Sequence, residues 1–81
     1  MSLFLHVPDD EVRRDIADTE AEIRTLEQEV RALELFPPES TDYKMARFRA
    51  GGKRLAILER RQFVEKLTEL LAARAARKAA T

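Results

Sequence analysis

The stretch VRRDIADTEAEIRTLEQEVRAL, residues 12–33, carries the pattern that decides the fold. Its seam positions follow one another at alternating spacings of four and three residues: Val12, Ile16, Thr19, Ile23, Leu26, Val30 and Leu33. Such a heptad repeat lines one stripe of an α-helix, and an apolar stripe is stable in water only when it packs against another helix. Only Thr19 interrupts the apolar character. The sequence therefore predicts a helix that has a helical partner.

Composition favours a small all-α protein. The chain has 81 residues with only two glycines and three prolines, and it is rich in the Ala, Leu, Glu and Arg that helices prefer. A core of this size gives limited stability, so a homo-oligomer is expected. The absence of cysteine excludes disulfides and favours a reducing, cytoplasmic compartment. No apolar run approaches the roughly 20 residues of a membrane-spanning helix, so no membrane partner is expected.

Two adjacent prolines divide the chain into two helices. Pro37 and Pro38 stop a helix because proline lacks the amide proton that helix continuation requires, and its ring clashes with the preceding turn. We expect helix 1 at about residues 10–35, with Asp9 as its N-cap, and helix 2 at about residues 41–79. A short connection usually makes two consecutive helices antiparallel neighbours. The predicted fold class is therefore all-α: an antiparallel, coiled-coil-like helical hairpin that is oligomeric.

The expected domain organisation places this hairpin oligomerisation domain at residues 9–81. Residues 1–8 form an apolar N-terminal arm, which Pro8 keeps short and extended because residues before proline favour extended conformations. So short an arm is not stable alone. We expect it to dock on a groove of its own chain or of a neighbouring chain, or to be a frayed terminus.

The formal net charge of zero hides two oppositely charged halves. Residues 1–43 hold twelve Asp or Glu and four Arg, whereas residues 44–81 hold eleven Lys or Arg and three Glu. If residues equally distant from the turn lie level in the hairpin, carboxylates beside the helix 1 seam face arginines of helix 2. The predicted pairs are Asp15 with Arg61, Glu22 with Arg54, and Glu29 with Arg47. The seam beside those arginines is then Phe48, Gly51, Leu55, Leu58 and Gln62.

Helix 2 carries more apolar surface than helix 1 is expected to cover. In the same register, the segment from Leu67 onward overhangs helix 1, and leaving several large apolar side chains exposed favours association. The predicted oligomer interface combines the arm with apolar residues of helix 2: Leu3, Phe4, Leu5, Ile57, Phe63, Val64, Leu67, Leu70 and Leu71. The function expected first is therefore a non-enzymatic assembly or adaptor protein that self-associates through helix 2.

Basic residues outside the predicted ladder support a second function, a nucleic-acid-handling oligomer. The candidate contacts to a phosphate backbone are Arg49, Lys53, Arg60, Arg74, Arg77 and Lys78. In organisation alone, an oligomerising hairpin is similar to the small terminase subunits of tailed phages, which feed DNA to a packaging motor. The chain has no room for the separate helix-turn-helix domain that many of them carry. A third alternative is a small partner-binding or inhibitor protein whose helix 2 fills a groove on a different protein.

No motif in the sequence indicates catalysis. The segment RFRAGGKR at residues 47–54 combines glycines and cations, but a phosphate-binding P-loop requires glycine where Arg47 stands and Ser or Thr where Arg54 stands. His6 is the single histidine, and it lacks the convergent ligands of a metal or acid-base site. We therefore expect no catalytic residue, no metal, no cofactor and no enzyme activity.

Overall fold

The computed structural model describes residues 7–80 and contains two α-helices that fold back on one another. Helix α1 spans Asp9–Glu34 and helix α2 spans Tyr43–Ala80. The pair forms a rod of 63 × 21 × 17 Å. The all-α helical hairpin is confirmed, with each helix end within two residues of its predicted place.

The reversal between the helices occurs where the two prolines stand. At the end of α1, the amide of Leu35 donates to the carbonyl of Ala32 at 3.3 Å, and the amide of Phe36 donates to the carbonyl of Leu33 at 3.4 Å. The amide of Ser40 then donates to the carbonyl of Pro37 at 3.0 Å, and the Ser40 hydroxyl accepts the amide of Asp42 at 3.2 Å. These bonds satisfy backbone groups that the helix ends leave free.

The predicted N-cap of α1 is wrong. Pro8 occupies the cap position, and no side-chain hydrogen bond caps the first turn. Asp9 is the first helical residue, and its carboxylate accepts a hydrogen bond from Arg74 near the end of α2. The Asp9 carboxylate therefore accepts a hydrogen bond from Arg74 and not, as predicted, from a backbone amide in the first turn of α1.

The predicted seam of α1 is confirmed as the face that packs on α2. Its seven residues are all buried or half-buried, with Val12, Thr19, Ile23 and Val30 the most enclosed. Thr19 is buried despite its hydroxyl. Within residues 7–80, no buried side-chain nitrogen or oxygen lacks a hydrogen-bond partner.

The predicted seam of α2 is wrong, because α2 buries a different face. Most of the buried or half-buried residues again alternate at spacings of four and three: Ala46, Ala50, Lys53, Ile57, Arg60, Val64, Leu67, Leu71 and Arg74. Tyr43, Ala56 and Leu70 are also half-buried. Phe48 and Leu55, assigned to the seam, are 79% and 57% exposed. At 3.6 residues per turn they lie on the side of α2 that faces away from α1. Ala and the stems of Lys and Arg fill much of the true seam, and hydropathy does not mark such residues as core.

The core extends along almost the whole of α1. Ile23, Val30, Ala50 and Ile57 form one cluster near its centre and its turn end. At the other end Val12 is 0% exposed and Leu67 is 1% exposed. The predicted overhang from Leu67 onward is therefore wrong, since α1 covers α2 as far as Arg74.

Candidate interaction surface on α2

Ion pairs line both flanks of the buried seam. On one flank Lys53 binds Glu29, and Arg60 Nε lies 2.7 Å from Glu22 Oε2. On the other flank Arg54 binds Glu34, and Arg61 Nη2 lies 3.5 Å from Glu27 Oε2. On each flank the two carboxylates are seven residues apart in α1, and so are the two cations in α2. The heptad spacing thus carries charge pairing as well as packing.

The predicted register of these pairs is wrong. Glu22 binds Arg60 instead of Arg54, and Glu29 binds Lys53 instead of Arg47. Both true partners lie six residues later in α2 than predicted. Helical side chains lean toward the N-terminus of their own helix, so in antiparallel helices they lean in opposite directions along the common axis. Long side chains therefore meet partners that are offset from the level position.

Two other residues of the predicted ladder have different surroundings. Arg61 binds Glu27 instead of Asp15. Arg47 stays within its own helix, where Nη1 donates to the Tyr43 hydroxyl at 3.1 Å and the guanidinium lies 5.6 Å from the centre of the Tyr43 ring. Neither cation makes its predicted contact with α1.

A contact at the far end of the hairpin joins the start of α1 to the end of α2. Arg74 Nη1 donates to Asp9 Oδ1 and to the Val7 carbonyl, each at 2.7 Å. The hydrogen bond from Arg74 lowers the pKa of Asp9 below its ordinary value of 3.8, and the charges of Arg74, Lys78 and Arg13 act in the same direction. We call this contact the N-terminal clasp.

The cations proposed for nucleic-acid binding separate into two groups. Lys53, Arg60 and Arg74 were expected to lie outside the ladder, and this is wrong, since each binds a carboxylate of α1. A phosphate backbone would have to compete with those carboxylates. The remaining three side chains are exposed: Arg49, Arg77 and Lys78.

The residues of the predicted oligomer interface differ in their exposure. Ile57 and Leu67 are buried between the helices, and Val64 packs on the same core. Leu70 and Leu71 are half-buried, and Phe63 is 38% exposed. Leu3, Phe4 and Leu5 lie outside the described residues, so the arm stays a prediction. The expected exposure of Ile57 and Leu67 is wrong, and self-association itself stays a prediction.

An exposed apolar stripe that the sequence assigned to the inner seam lies on the opposite side of α2. Phe48 and Leu55 form its centre, and Met45 and Leu58 lie at its two edges; each of the four is more than half exposed. We call this set the outer stripe. Gly51 and Gly52 lie between its two halves, and a Cβ added at either glycine meets open space. The sequence pattern assigned Phe48, Leu55 and Leu58 to the inner seam because they are large and apolar. It could not show that the inner face of α2 uses alanines and cations paired with carboxylates of α1.

The described part of the chain offers little for other kinds of site. Residues 7–80 contain no group of three His, Cys, Asp or Glu placed to hold a metal ion. Over the same residues, neither helix is both long and apolar enough to cross a membrane. No protein-family model, no curated protein and no solved structure matches this chain.

Proposed function

We propose that the protein is a non-enzymatic assembly or adaptor module that self-associates through the outer stripe of α2. The observation that carries this proposal is the exposure of Phe48 and Leu55, 79% and 57%, on a helix face that α1 does not touch. Large contiguous apolar patches are uncommon on monomers and often mark an interface. Burying each such side chain contributes roughly 1.5 to 3 kcal/mol to association.

The inner face of α2 supports the same proposal because its contacts are already complete. The core fills the seam, and four ion pairs line its flanks. The outer stripe is therefore not a surface that a small shift of α1 would cover. Within residues 7–80 no other element lies over the outer stripe, and we propose that a second molecule covers it.

The proposal retains helix 2 as the association surface but moves the anchors. The sequence placed them at Phe63, Val64, Leu67, Leu70 and Leu71, with the N-terminal arm, and expected the segment from Leu67 onward to extend beyond α1. Leu67 is 1% exposed within one hairpin, so it stabilises the monomer. The anchors proposed here are Phe48 and Leu55, with Met45 and Leu58 beside them.

The mass of the purified chain tests this proposal. Sedimentation equilibrium should give a mass above the 9.3 kDa of one chain, and the Phe48→Glu/Leu55→Glu variant should shift toward 9.3 kDa while its circular dichroism stays helical. Leu35→Glu is the matched control, because Leu35 is 82% exposed in the turn and outside the stripe. That control should keep the wild-type mass. A wild-type chain that stays at 9.3 kDa, or a double variant that associates as wild type does, would overturn the proposal.

A further inference from the structure

We infer that the occupant of the outer stripe is a second copy of this chain, whose α2 lies antiparallel across a two-fold axis between Gly51 and Gly52. The inference rests on the proposed self-association and gives its geometry. In a two-fold interface the same patch is used on both subunits, so the outer stripe must be complementary to itself.

The residues of the outer face are self-complementary about the midpoint between Gly51 and Gly52. Phe48 and Leu55 are equally distant from it, as are Met45 and Leu58. In an antiparallel pair, each of these residues lies level with the other member of its couple on the second chain. Phe48 and Leu55 lie near the centre of the outer face and meet there, whereas Met45 and Leu58 lie on its two opposite flanks at 3.6 residues per turn and cover the edges of the contact.

Charged residues at the two ends of the stripe fit the same axis. Lys44 and Glu59 are also equally distant from the midpoint, and both are exposed on the outer face. Within residues 7–80 no ion pair involves either of them. An antiparallel pair places each Lys44 opposite Glu59 of the second chain, whereas a parallel pair places like charges together. Charge complementarity thus selects a second copy in the antiparallel orientation.

Within residues 7–80 no close contact requires glycine at position 51 or 52. Both glycines are helical, neither has a positive φ, and a Cβ at either position meets open space. Glycine in a helix interior is destabilising relative to alanine because it loses more conformational freedom on folding. At the crossing point of two helices, however, the absent side chains let the two backbones approach closely. The inferred axis places both copies of the pair at that crossing point.

Two arginines near the axis do not oppose this arrangement. Arg49 and Arg54 are equally distant from the midpoint and so lie level across the interface. They are on opposite flanks of the outer stripe instead of within it, at 3.6 residues per turn. Arg54 is also bound to Glu34 of its own chain, which offsets its charge.

Charge reversal tests the pairing of Lys44 with Glu59. Lys44→Glu should raise the dissociation constant about tenfold, because two attractive contacts per dimer become repulsive, and Glu59→Lys should do the same. The doubly reversed chain, Lys44→Glu/Glu59→Lys, should return to near the wild-type value, as should an equal mixture of the two single variants. Arg14→Glu is the matched control, on the face of α1 that points away from α2, and it should leave the constant unchanged. Failure of the double reversal to restore association would overturn the inference.

Cross-linking tests the orientation of the two chains. The sequence contains no cysteine, so Lys44→Cys and Glu59→Cys each introduce a unique thiol. A short bis-maleimide should join a mixture of the two variants and should leave Lys44→Cys alone largely uncrosslinked, because its two thiols lie about 22 Å apart in an antiparallel pair. Strong cross-linking of Lys44→Cys to itself would overturn the antiparallel axis while leaving self-association intact. A wild-type chain that is monomeric in sedimentation would instead overturn the proposed function together with this inference.

Discussion

At the scale of single residues, the N-terminal clasp shows how one arginine fixes the open end of the hairpin. The Arg74 side chain is 20% exposed and meets both the Asp9 carboxylate and the Val7 carbonyl. Hydrogen bonds to a charged group are stronger than neutral ones. The clasp thus holds the start of α1 against α2 at the end farthest from the covalent turn.

The lowered pKa of Asp9 predicts an acid-dependent loss of stability. A carboxyl whose pKa is lower in the folded state stabilises the fold above its unfolded pKa, here 3.8, and this stabilisation is lost as the pH falls through the lower, folded value. Asp9→Asn should therefore reduce the free energy of unfolding at neutral pH. The difference from wild type should shrink as the pH falls below 3.8.

Urea unfolding monitored by circular dichroism at neutral and at acidic pH measures this effect. Asp10→Asn is the control, because Asp10 is 93% exposed in its side chain and its nearest cation, Arg13, lies 3.7 Å away. That control should change the unfolding free energy little at either pH. A deficit in Asp9→Asn that is independent of pH would show that its charge does not stabilise the clasp.

At the scale of the element, α2 is a helix with two different interfaces. Its inner face combines alanines and aliphatic residues with cations that bind α1, and its outer face carries exposed apolar side chains around a glycine pair. Glycine is costly within a helix, yet α2 continues without a break through Gly51 and Gly52. The contacts of α2 along its length therefore outweigh the local cost.

Replacing one glycine separates the stability of α2 from its association. Gly52→Ala should raise the free energy of unfolding of the monomer by about 0.5 to 1 kcal/mol, because alanine loses less conformational freedom in a helix. The added methyl group meets open space within one hairpin but stands at the inferred helix crossing. The same variant should therefore associate more weakly than wild type.

Thermal or urea unfolding at a concentration where the chain is monomeric gives the first quantity, and sedimentation gives the second. A variant in which stability and association rise together would show that no close helix contact occurs at the glycine pair. Unchanged stability would indicate that the cost of glycine at position 52 is offset within the hairpin.

At the scale of the whole molecule, the sequence was sufficient for the architecture but not for the packing of α2. The seam of α1 is a regular apolar repeat interrupted only by Thr19, and α1 cannot continue through Pro37 and Pro38, so the hairpin follows from short-range chemistry. The face that α2 buries depends on Ala46, Ala50 and the paired cations. Those residues become core only in the presence of the carboxylates on α1, which no local pattern in α2 reveals.

The register of the ion pairs likewise could not be predicted by assuming that residues equally distant from the turn lie level. For Glu22 and Glu29, the partner in α2 lies six residues later than the distance from the turn predicts. The lean of long side chains contributes to this offset, and the axial placement of the two helices adds to it. The outer stripe then follows as a consequence, because Phe48, Leu55 and their apolar neighbours are left on the side away from α1. Its exposure could be recognised only after the inner face was known.

An isotope-filtered nuclear Overhauser experiment on a mixture of labelled and unlabelled chains tests most directly whether the outer stripe meets a second copy of itself. The account predicts cross-peaks between the Leu55 methyl groups of labelled chains and the Phe48 ring of unlabelled chains, since the filter removes contacts within one chain. Absence of intermolecular cross-peaks from Leu55, at a concentration well above that used for sedimentation, would contradict the account.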